Sequence, residues 1–253
     1  MKLDNAFMEF DVIGIDPSLI NAFRRILISE VPTMAIEKVY ISSNTSPLQD
    51  EILAHRLGLV PLKANARLFQ RRLEGDSEGT DRDTLHFQLK IKCIKNVHVR
   101  YGHYRPEDLY INYEVFSSNI RWIPIGEQKN LYKESDIGPV YDDIMVAKLR
   151  PGLEIDVRME AVKGIGRDHA KFSPVGTASY RLHPYINLLK DIEGEQADLL
   201  QSCFSPGVIG ITHTDKAYVI NARDDSCSRN IYLHEELNDK VVIGKLKDHY
   251  ICK

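Results

Sequence analysis

Residues 16–32 read DPSLINAFRRILISEVP, and this stretch predicts one amphipathic helix. Asp16 followed by Pro17 is typical of a helix start, because the carboxylate can accept unpaired backbone N–H groups and proline suits the first turn. The helix should end before Pro32, which pushes the preceding residue out of the helical region. Large apolar residues recur within these limits at helical spacing, and they are Leu19, Ile20, Phe23, Ile26 and Leu27.

The apolar stripe of this helix has two interpretations. It either packs entirely in the core of its own chain or is shared between that core and a helix of a partner protein. Arg24 and Arg25 fall about 100° and 200° around the helix from Phe23, outside the apolar stripe. They are either solvated or act as fork-shaped donors to carboxylates of another subunit.

The segments that follow predict a strand and a second helix. Residues 35–41 are rich in β-branched and aromatic side chains, which favour a strand. Residues 46–49 (SPLQ) have the pattern of a capping box with proline at the first helical position. Gly58 and Pro61 should end this second helix.

From about residue 63 onward, the sequence alternates like β-structure. Apolar and polar residues alternate between Phe87 and Cys93 and, most regularly, between Leu153 and Ala161. This alternation is typical of an antiparallel sheet with one face in water. The residues after Ala217 are strand-like again, so the sequence predicts an α+β fold with more β-structure than helix.

The composition excludes several classes of protein. Of the 253 residues, 43% are hydrophobic and 27% are charged, which suits a globular core and excludes a fibrous or disordered chain. The net charge of −3 excludes a uniformly basic nucleic-acid coat. We expect no secretory signal and no membrane helix, because neither the first residues nor any later run has the apolar length required.

The cysteines argue against a metal site. They are Cys93, Cys203, Cys227 and Cys252, with no CxxC pair and no histidine cluster beside them. This spacing does not suit a zinc or iron–sulfur centre, and we expect reduced thiols in an intracellular protein.

The segment 163–171 (KGIGRDHAK) has the residue types of a catalytic loop. Gly164 and Gly166 could present backbone N–H groups to a phosphate, and Asp168 with His169 could transfer a proton. The spacing matches neither the dinucleotide nor the P-loop motif, and Pro174 leaves no helix N-terminus nearby. One hypothesis is a hydrolase or phosphate-binding enzyme. The other is a tight turn whose charged residues face water or a partner protein.

A basic stretch supports a third hypothesis, a nucleic-acid binding module. Tyr101 and Tyr104 lie among its cations, so charge and stacking could act together. The acidic segment 74–83 weakens the local positive potential, and a solvated strand face is the alternative. The cations of this stretch are Lys90, Lys92, Lys95, His98, Arg100, His103 and Arg105.

Several longer motifs resemble one family. The α-type subunits of multisubunit DNA-directed RNA polymerases are similar over residues 21–27 (NAFRRIL), 30–39 (EVPTMAIEKV) and 50–62 (DEILAHRLGLVPL). Within that family, the larger α-like subunit shared by nuclear RNA polymerases I and III is similar over residues 169–175 (HAKFSPV), 177–182 (TASYRL), 203–209 (CFSPGVI) and 225–230 (DSCSRN). The resemblance extends over almost the whole chain.

The resemblance implies a fold in two parts. Residues 1–62 and 222–253 would form a discontinuous dimerisation domain, in which helices pack on an antiparallel sheet. Residues 63–221 would form an inserted, mostly β domain. The family often continues past the strand that ends near Cys252 into a long amphipathic helix, which this sequence does not contain. Either the partner then supplies more of the interface or the sequence is incomplete.

The implied function is assembly and not catalysis. The resemblance implies a nuclear subunit, in nucleolus and nucleoplasm, that pairs with a smaller α-like subunit and docks the second-largest and largest polymerase subunits. It would support transcription of rRNA, 5S rRNA and tRNA, with nucleic acid contacted only through the complex and no membrane involved. We expect no cofactor and no metal. An α-like subunit of another nuclear polymerase, of the II type, is the alternative.

The resemblance also assigns roles to particular residues. The helix from Asn21 to Leu27 matches the partner-pairing helix, and its two arginines match a pair that faces the large subunits. Lys171 to Tyr180 matches a segment expected to approach the second-largest subunit. The predicted partner-binding residues are Leu19, Asn21, Ala22, Phe23, Arg24, Arg25, Ile26, Leu27, Arg56, Lys171, Phe172, Ser173 and Tyr180.

Overall fold

The computed structural model describes residues 2–4, 7–72, 79–97, 105 and 109–253. It divides into two compact units, Met1–Arg25 with Thr177–Lys253 and Ile26–Gly176. The helices are α1 Pro17–Ser29, α2 Asp50–Gly58, α3 Gln128–Leu131, α4 Glu195–Cys203 and α5 Glu235–Asn238. The strands are β1 Lys2–Leu3, β2 Met8–Ile13, β3 Thr33–Asn44, β4 Leu62–Lys63, β5 Thr84–Lys92, β6 Ile94–Lys95, β7 Tyr110–Ile111, β8 Glu114–Phe116, β9 Arg121–Ile123, β10 Gly138–Pro139, β11 Met145–Lys148, β12 Glu154–Gly164, β13 Tyr180–Leu188, β14 Ile209–Ile211, β15 Ala217–Val219 and β16 Val241–Cys252.

The first helix has the predicted bounds. The backbone N–H of Ser18 donates to Asp16 Oδ1 at 2.8 Å, so Asp16 caps the helix as expected. The helix ends at Ser29, before the Val31-Pro32 pair. Local sequence signals therefore set both ends of α1. The boundary between the two units falls within this helix.

The unit of residues 1–25 and 177–253 is built on an antiparallel sheet of order β1-β2-β16-β13. The last strand, β16, therefore lies between β2 and β13. The helix α4 and a small hairpin of β14 and β15 cover the apolar core of this unit. Ile192, Leu200, Val208 and Leu237 are almost completely buried there.

The unit of residues 26–176 is built on an antiparallel sheet of order β3-β12-β5-β9. The predicted alternation is confirmed in β12, where Val157 and Met159 are buried while Asp156 and Arg158 point to the other face. Phe87 of the neighbouring β5 packs in the same core. One face of the sheet thus covers the core and the other faces water.

The second helix begins later than predicted. Residues 46–49 were expected to form a capping box, but α2 starts at Asp50 with Gln49 before it and with no side-chain cap. Ser46 Oγ instead donates to Asn44 Oδ1 at 2.6 Å, which fixes a turn after β3. The helix then buries Leu53 and Leu57 in the core.

The α+β class with antiparallel sheets is confirmed. The predicted domains are residues 1–62 with 222–253 and residues 63–221. The two compact units have different bounds. The division into a dimerisation domain and an inserted domain stays a prediction. Among the helices of the described residues, none has both the length and the apolar character needed to cross a membrane.

Candidate interface on the first helix

The apolar stripe of α1 is only partly covered by its own chain. Ile20 is buried, with 2% of its surface exposed. Leu19, Phe23, Ile26 and Leu27 belong to the same stripe and are 53%, 59%, 44% and 40% exposed. Their spacing of four, seven and eight residues from Leu19 places them side by side along one helix face.

An exposed row of large apolar side chains requires an explanation. Single exposed hydrophobic residues are normal, but contiguous apolar patches on proteins mark sites of interaction. Removing such surface from water is favourable by about 25 cal/mol per Å², and the costs of association offset part of this gain. The outer face of α1, defined here as Leu19, Ala22, Phe23, Ile26 and Leu27, is therefore the best candidate for an interface in this chain.

The two arginines of α1 differ in their surroundings. Arg24 donates from Nε and Nη2 to Asn21 Oδ1, at 3.1 and 3.0 Å. Asn21 thus holds this guanidinium along the helix, three residues from its own position. Arg25 is exposed. The expected contact of both arginines with the large subunits stays a prediction.

The predicted residues around Lys171 mostly serve their own unit. Lys171 Nζ donates to the carbonyl of Ile36 at 2.9 Å and lies 2.5 Å from the carboxylate of Glu37. Phe172 is buried, and Ser173 Oγ donates to the carbonyl of Val175 at 3.0 Å. These bonds fasten the turn onto β3, so a partner could reach only their remaining exposed atoms.

Arg56 and Tyr180 belong to different units of the fold. Arg56 is exposed in α2 and donates to the carbonyl of Met145 at 3.3 Å, in the unit of residues 26–176. Tyr180 belongs to the other unit, where its ring packs edge-on against Tyr250 with 5.9 Å between the centroids. The residues on the outer face of α1 therefore share one helix, whereas Arg56 and Tyr180 contact different parts of the chain.

The two glycines of the proposed phosphate loop are needed for packing. A Cβ atom on Gly164 would lie 2.6 Å from the ring of Phe172, and one on Gly166 would lie 2.1 Å from the carbonyl oxygen of Ile28. Asp168 pairs with Arg71 at 3.3 Å, and His169 Nδ1 accepts from the backbone N–H of Lys171 at 3.1 Å. These contacts support the interpretation of the segment as a close-packed turn, and the hypothesis of a phosphate cradle stays a prediction.

The basic stretch is only partly described. Lys90 and Lys92 lie in β5 and pair with Asp156 and Glu154 on β12, at 2.6 and 3.4 Å. The predicted contributors His98, Arg100, Tyr101, His103 and Tyr104 lie outside the described residues.

All four cysteines are free thiols. Burial raises the pKa of Cys93, Cys203 and Cys252, which keeps these thiols protonated at neutral pH. In the described parts of the chain, no group of three or more His, Cys, Asp or Glu side chains is arranged to hold a metal ion.

Sequence reasoning missed a group of cations on the sheet of residues 26–176. Lys38, Arg121 and Arg158 come from three strands that are far apart in the chain, and all three are exposed. Only the strand pairing brings them to one face, so no local motif could have indicated them.

Comparisons with known proteins agree with the fold. The family model described as the RNA polymerase Rpb3/RpoA insert domain matches residues 39–177. The DNA-directed RNA polymerases I and III subunit RPAC1 of Homo sapiens is 53% identical over 99% of this chain and 73% of its own length. RPAC1 of Saccharomyces cerevisiae is 47% identical over 99% of this chain and 76% of its own length. The DNA-directed RNA polymerase II subunit rpb3 of Dictyostelium discoideum is 34% identical over 78% of this chain and 61% of its own length.

Proposed function

Since this chain belongs to the family of α-like subunits of DNA-directed RNA polymerases, we propose that it is the larger α-like subunit of RNA polymerases I and III. Relatives named for polymerases I and III are 47% and 53% identical over 99% of the chain. The relative named for polymerase II is 34% identical over 78% of the chain. This difference favours the proposal over a polymerase II-type subunit.

The proposed role is assembly without catalysis. The observation that carries it is the outer face of α1, where Leu19, Phe23, Ile26 and Leu27 remain exposed. A helix whose apolar stripe is only partly covered by its own chain suits pairing with a helix of another subunit. Gly164 and Gly166, the glycines considered for phosphate binding, lie against Phe172 and Ile28, which supports a role in close packing.

The proposed partners follow from this role. The smaller α-like subunit would cover the outer face of α1, and the heterodimer would then dock the second-largest and largest subunits. Arg24 and Arg25 lie beside the outer face, where guanidinium groups suit carboxylates of a large subunit. In this proposal the chain acts in nucleolus and nucleoplasm, supports synthesis of rRNA, 5S rRNA and tRNA, and meets nucleic acid only through the complex.

The test is affinity purification of the tagged chain from nuclear extract, followed by mass spectrometry of the bound subunits. The proposal expects the smaller α-like subunit together with the largest subunits of polymerases I and III. The variant Phe23→Glu, which places a charge in the centre of the outer face, should lose all of them. The variant Leu233→Glu changes another exposed leucine and should retain them. Recovery of polymerase II subunits alone would overturn the assignment.

A further inference from the structure

The water-facing side of the sheet in residues 26–176 carries more cations than carboxylates. The register sets Arg158 of β12 opposite Tyr40 of β3 and Gln88 of β5, and Gln88 opposite Arg121 of β9. Lys38 lies two residues from Tyr40 on β3, so its side chain faces the same way. We call this surface the basic sheet face and define it by Lys38, Tyr40, Arg121, Ile123 and Arg158.

The carboxylates on this face already have partners. Each of the three forms an ion pair with a lysine or arginine, and the pairs are Lys90–Asp156, Lys92–Glu154 and Arg72–Glu160. Glu160 Oε1 also lies 4.0 Å from His86 Nε2. In contrast, Lys38, Arg121 and Arg158 form no ion pair with any residue that the structure describes. Lys38 and Arg121 are thus left for an external anion, and Arg158 is shared only through its charge, which helps to lower the pKa of Asp156.

The same face contains a depression of about 560 Å³. Tyr40 and Ile123 border it and are 48% and 36% exposed, and the other water-facing side chains of its lining are Ser42, His86, Arg158 and Glu160. The hydroxyl of Tyr40 donates to Glu160 Oε1 at 3.1 Å, which fixes the position of its ring. The ring of Tyr40 and the side chain of Ile123 thus offer apolar contacts to a side chain that enters the depression.

We propose that the basic sheet face binds an extended acidic segment of a partner protein, with an apolar side chain of that segment in the depression. Arg158 and Arg121 are two strands apart, which is about 10 Å, and alternate residues of an extended peptide are about 7 Å apart. Carboxylates at alternate positions of such a segment can reach these cations through the long arginine and lysine side chains.

The alternation of charge favours a polypeptide over a nucleic acid. Glu154, Asp156 and Glu160 lie between the cations, and a phosphate backbone would bring regularly spaced negative charges against them. A polypeptide can set neutral side chains opposite those carboxylates and acidic ones opposite Lys38, Arg121 and Arg158. This contact is separate from pairing through α1, so either can fail without the other.

The test titrates the full chain, together with its co-purified partner subunit, into a fluorescein-labelled peptide in which Glu residues flank a single Leu. Fluorescence anisotropy at low salt should show saturable binding, which weakens when Gln replaces Glu in the peptide. Lys38→Glu and Arg158→Glu should each weaken binding about threefold or more. Arg158→Gln should give a smaller loss in the same direction, and thermal melts show whether each variant is folded.

The matched control is Lys190→Glu, which reverses an exposed lysine in the other unit and should leave the affinity unchanged. An equal loss in this control would mean that overall charge drives binding, which overturns the proposal. Absence of saturable binding to the acidic peptide would also overturn it. So would tighter binding of an oligothymidylate of equal charge that is lost in Arg158→Glu, because the face would then recognise nucleic acid.

Discussion

The guanidinium of Arg223 lies 2.6 Å from Oε1 of Glu9, although the two residues are 214 positions apart in the sequence. Glu9 is only 6% exposed, and Lys253 Nζ lies 3.2 Å from its other carboxylate oxygen. Arg223 also pairs with Asp11, which lies two residues after Glu9 on β2. Cations from the end of the chain thus hold a strand from its beginning.

Removing the guanidinium should destabilise the protein. Arg223→Ala leaves the buried carboxylate of Glu9 with Lys253 alone, and we expect the free energy of unfolding to fall by about 3 kcal/mol. Lys216→Ala is the matched control, because Lys216 also pairs with two carboxylates, Asp191 and Glu193, but in solvent. Its effect should be much smaller. Urea denaturation measures both, and equal losses would contradict the role given to burial.

Acid should weaken the same network. The hydrogen bond from Arg223 lowers the pKa of Glu9. Burial raises the pKa of Asp11, but hydrogen bonds from Arg223 and His249 outweigh it and lower that pKa overall. Groups with a lowered folded-state pKa stabilise the protein fully above their unfolded pKa values, and this contribution is lost as pH falls through the folded-state values.

The expected result is a urea midpoint that varies little above about pH 5 and falls below it. The double variant Glu9→Gln with Asp11→Asn should start lower at neutral pH and lose less stability in acid, because two of the titrating groups are gone. Some acid dependence should remain, because the pKa values of Asp83 and Asp156 are also lowered. Identical acid profiles for this variant and the wild type would refute the assignment.

Much of the fold follows from short-range patterns in the sequence. The ends of α1 depend on Asp16 and Pro32, and the faces of β12 depend on strict alternation, so both could be predicted. The start of α2 could not, because Ser46 bonds to Asn44 and not to the helix. Two local hydrogen-bonding solutions compete at such a serine, and only the surrounding chain decides between them.

The candidate interface was predictable in position but not in detail. Helical spacing identifies the apolar stripe of α1, yet it does not say that Ile20 alone is buried while Phe23 is exposed. That choice depends on tertiary packing. Tertiary packing also decides two other features, the pairing of Arg223 with Glu9 and the basic sheet face. The residues of each meet only after distant segments have folded.

Added methyl groups should distinguish packing from phosphate binding in the turn that follows β12. Gly166→Ala would push a Cβ against the backbone carbonyl of Ile28, and we expect a loss of about 2 kcal/mol in stability. Gly164→Ala would meet only the ring of Phe172, so adding Phe172→Leu should restore part of the loss. Gly176→Ala is the control, because nothing lies within 4 Å of its Cβ position.

Thermal and urea denaturation of these variants provide the measurement. The packing argument requires that Gly176→Ala stays within about 0.5 kcal/mol of the wild type. It also requires that Phe172→Leu rescues Gly164→Ala and does not rescue Gly166→Ala. If all three alanine variants were equally stable, close packing would no longer explain the glycines.

Ile20 and Phe23 of α1 should respond differently to truncation, because only Ile20 is buried. Ile20→Ala removes a buried side chain and should cost about 3 kcal/mol of stability. Phe23→Ala removes an exposed one and should change the stability of the chain by less than about 0.5 kcal/mol. In contrast, Phe23→Ala should weaken binding of the smaller α-like subunit by about 2 kcal/mol, close to thirtyfold.

Denaturation of the chain alone and calorimetric titration with the partner separate these effects. Ile20 and Phe23 are three positions apart in one helix. A general loss of helix would therefore lower stability and affinity in both Ile20→Ala and Phe23→Ala. The proposed interface requires instead that stability falls in one variant and affinity in the other. If Phe23→Ala lowered stability as much as Ile20→Ala and left pairing intact, the outer face of α1 would belong to the chain's own core, and the assembly role would lose its structural basis.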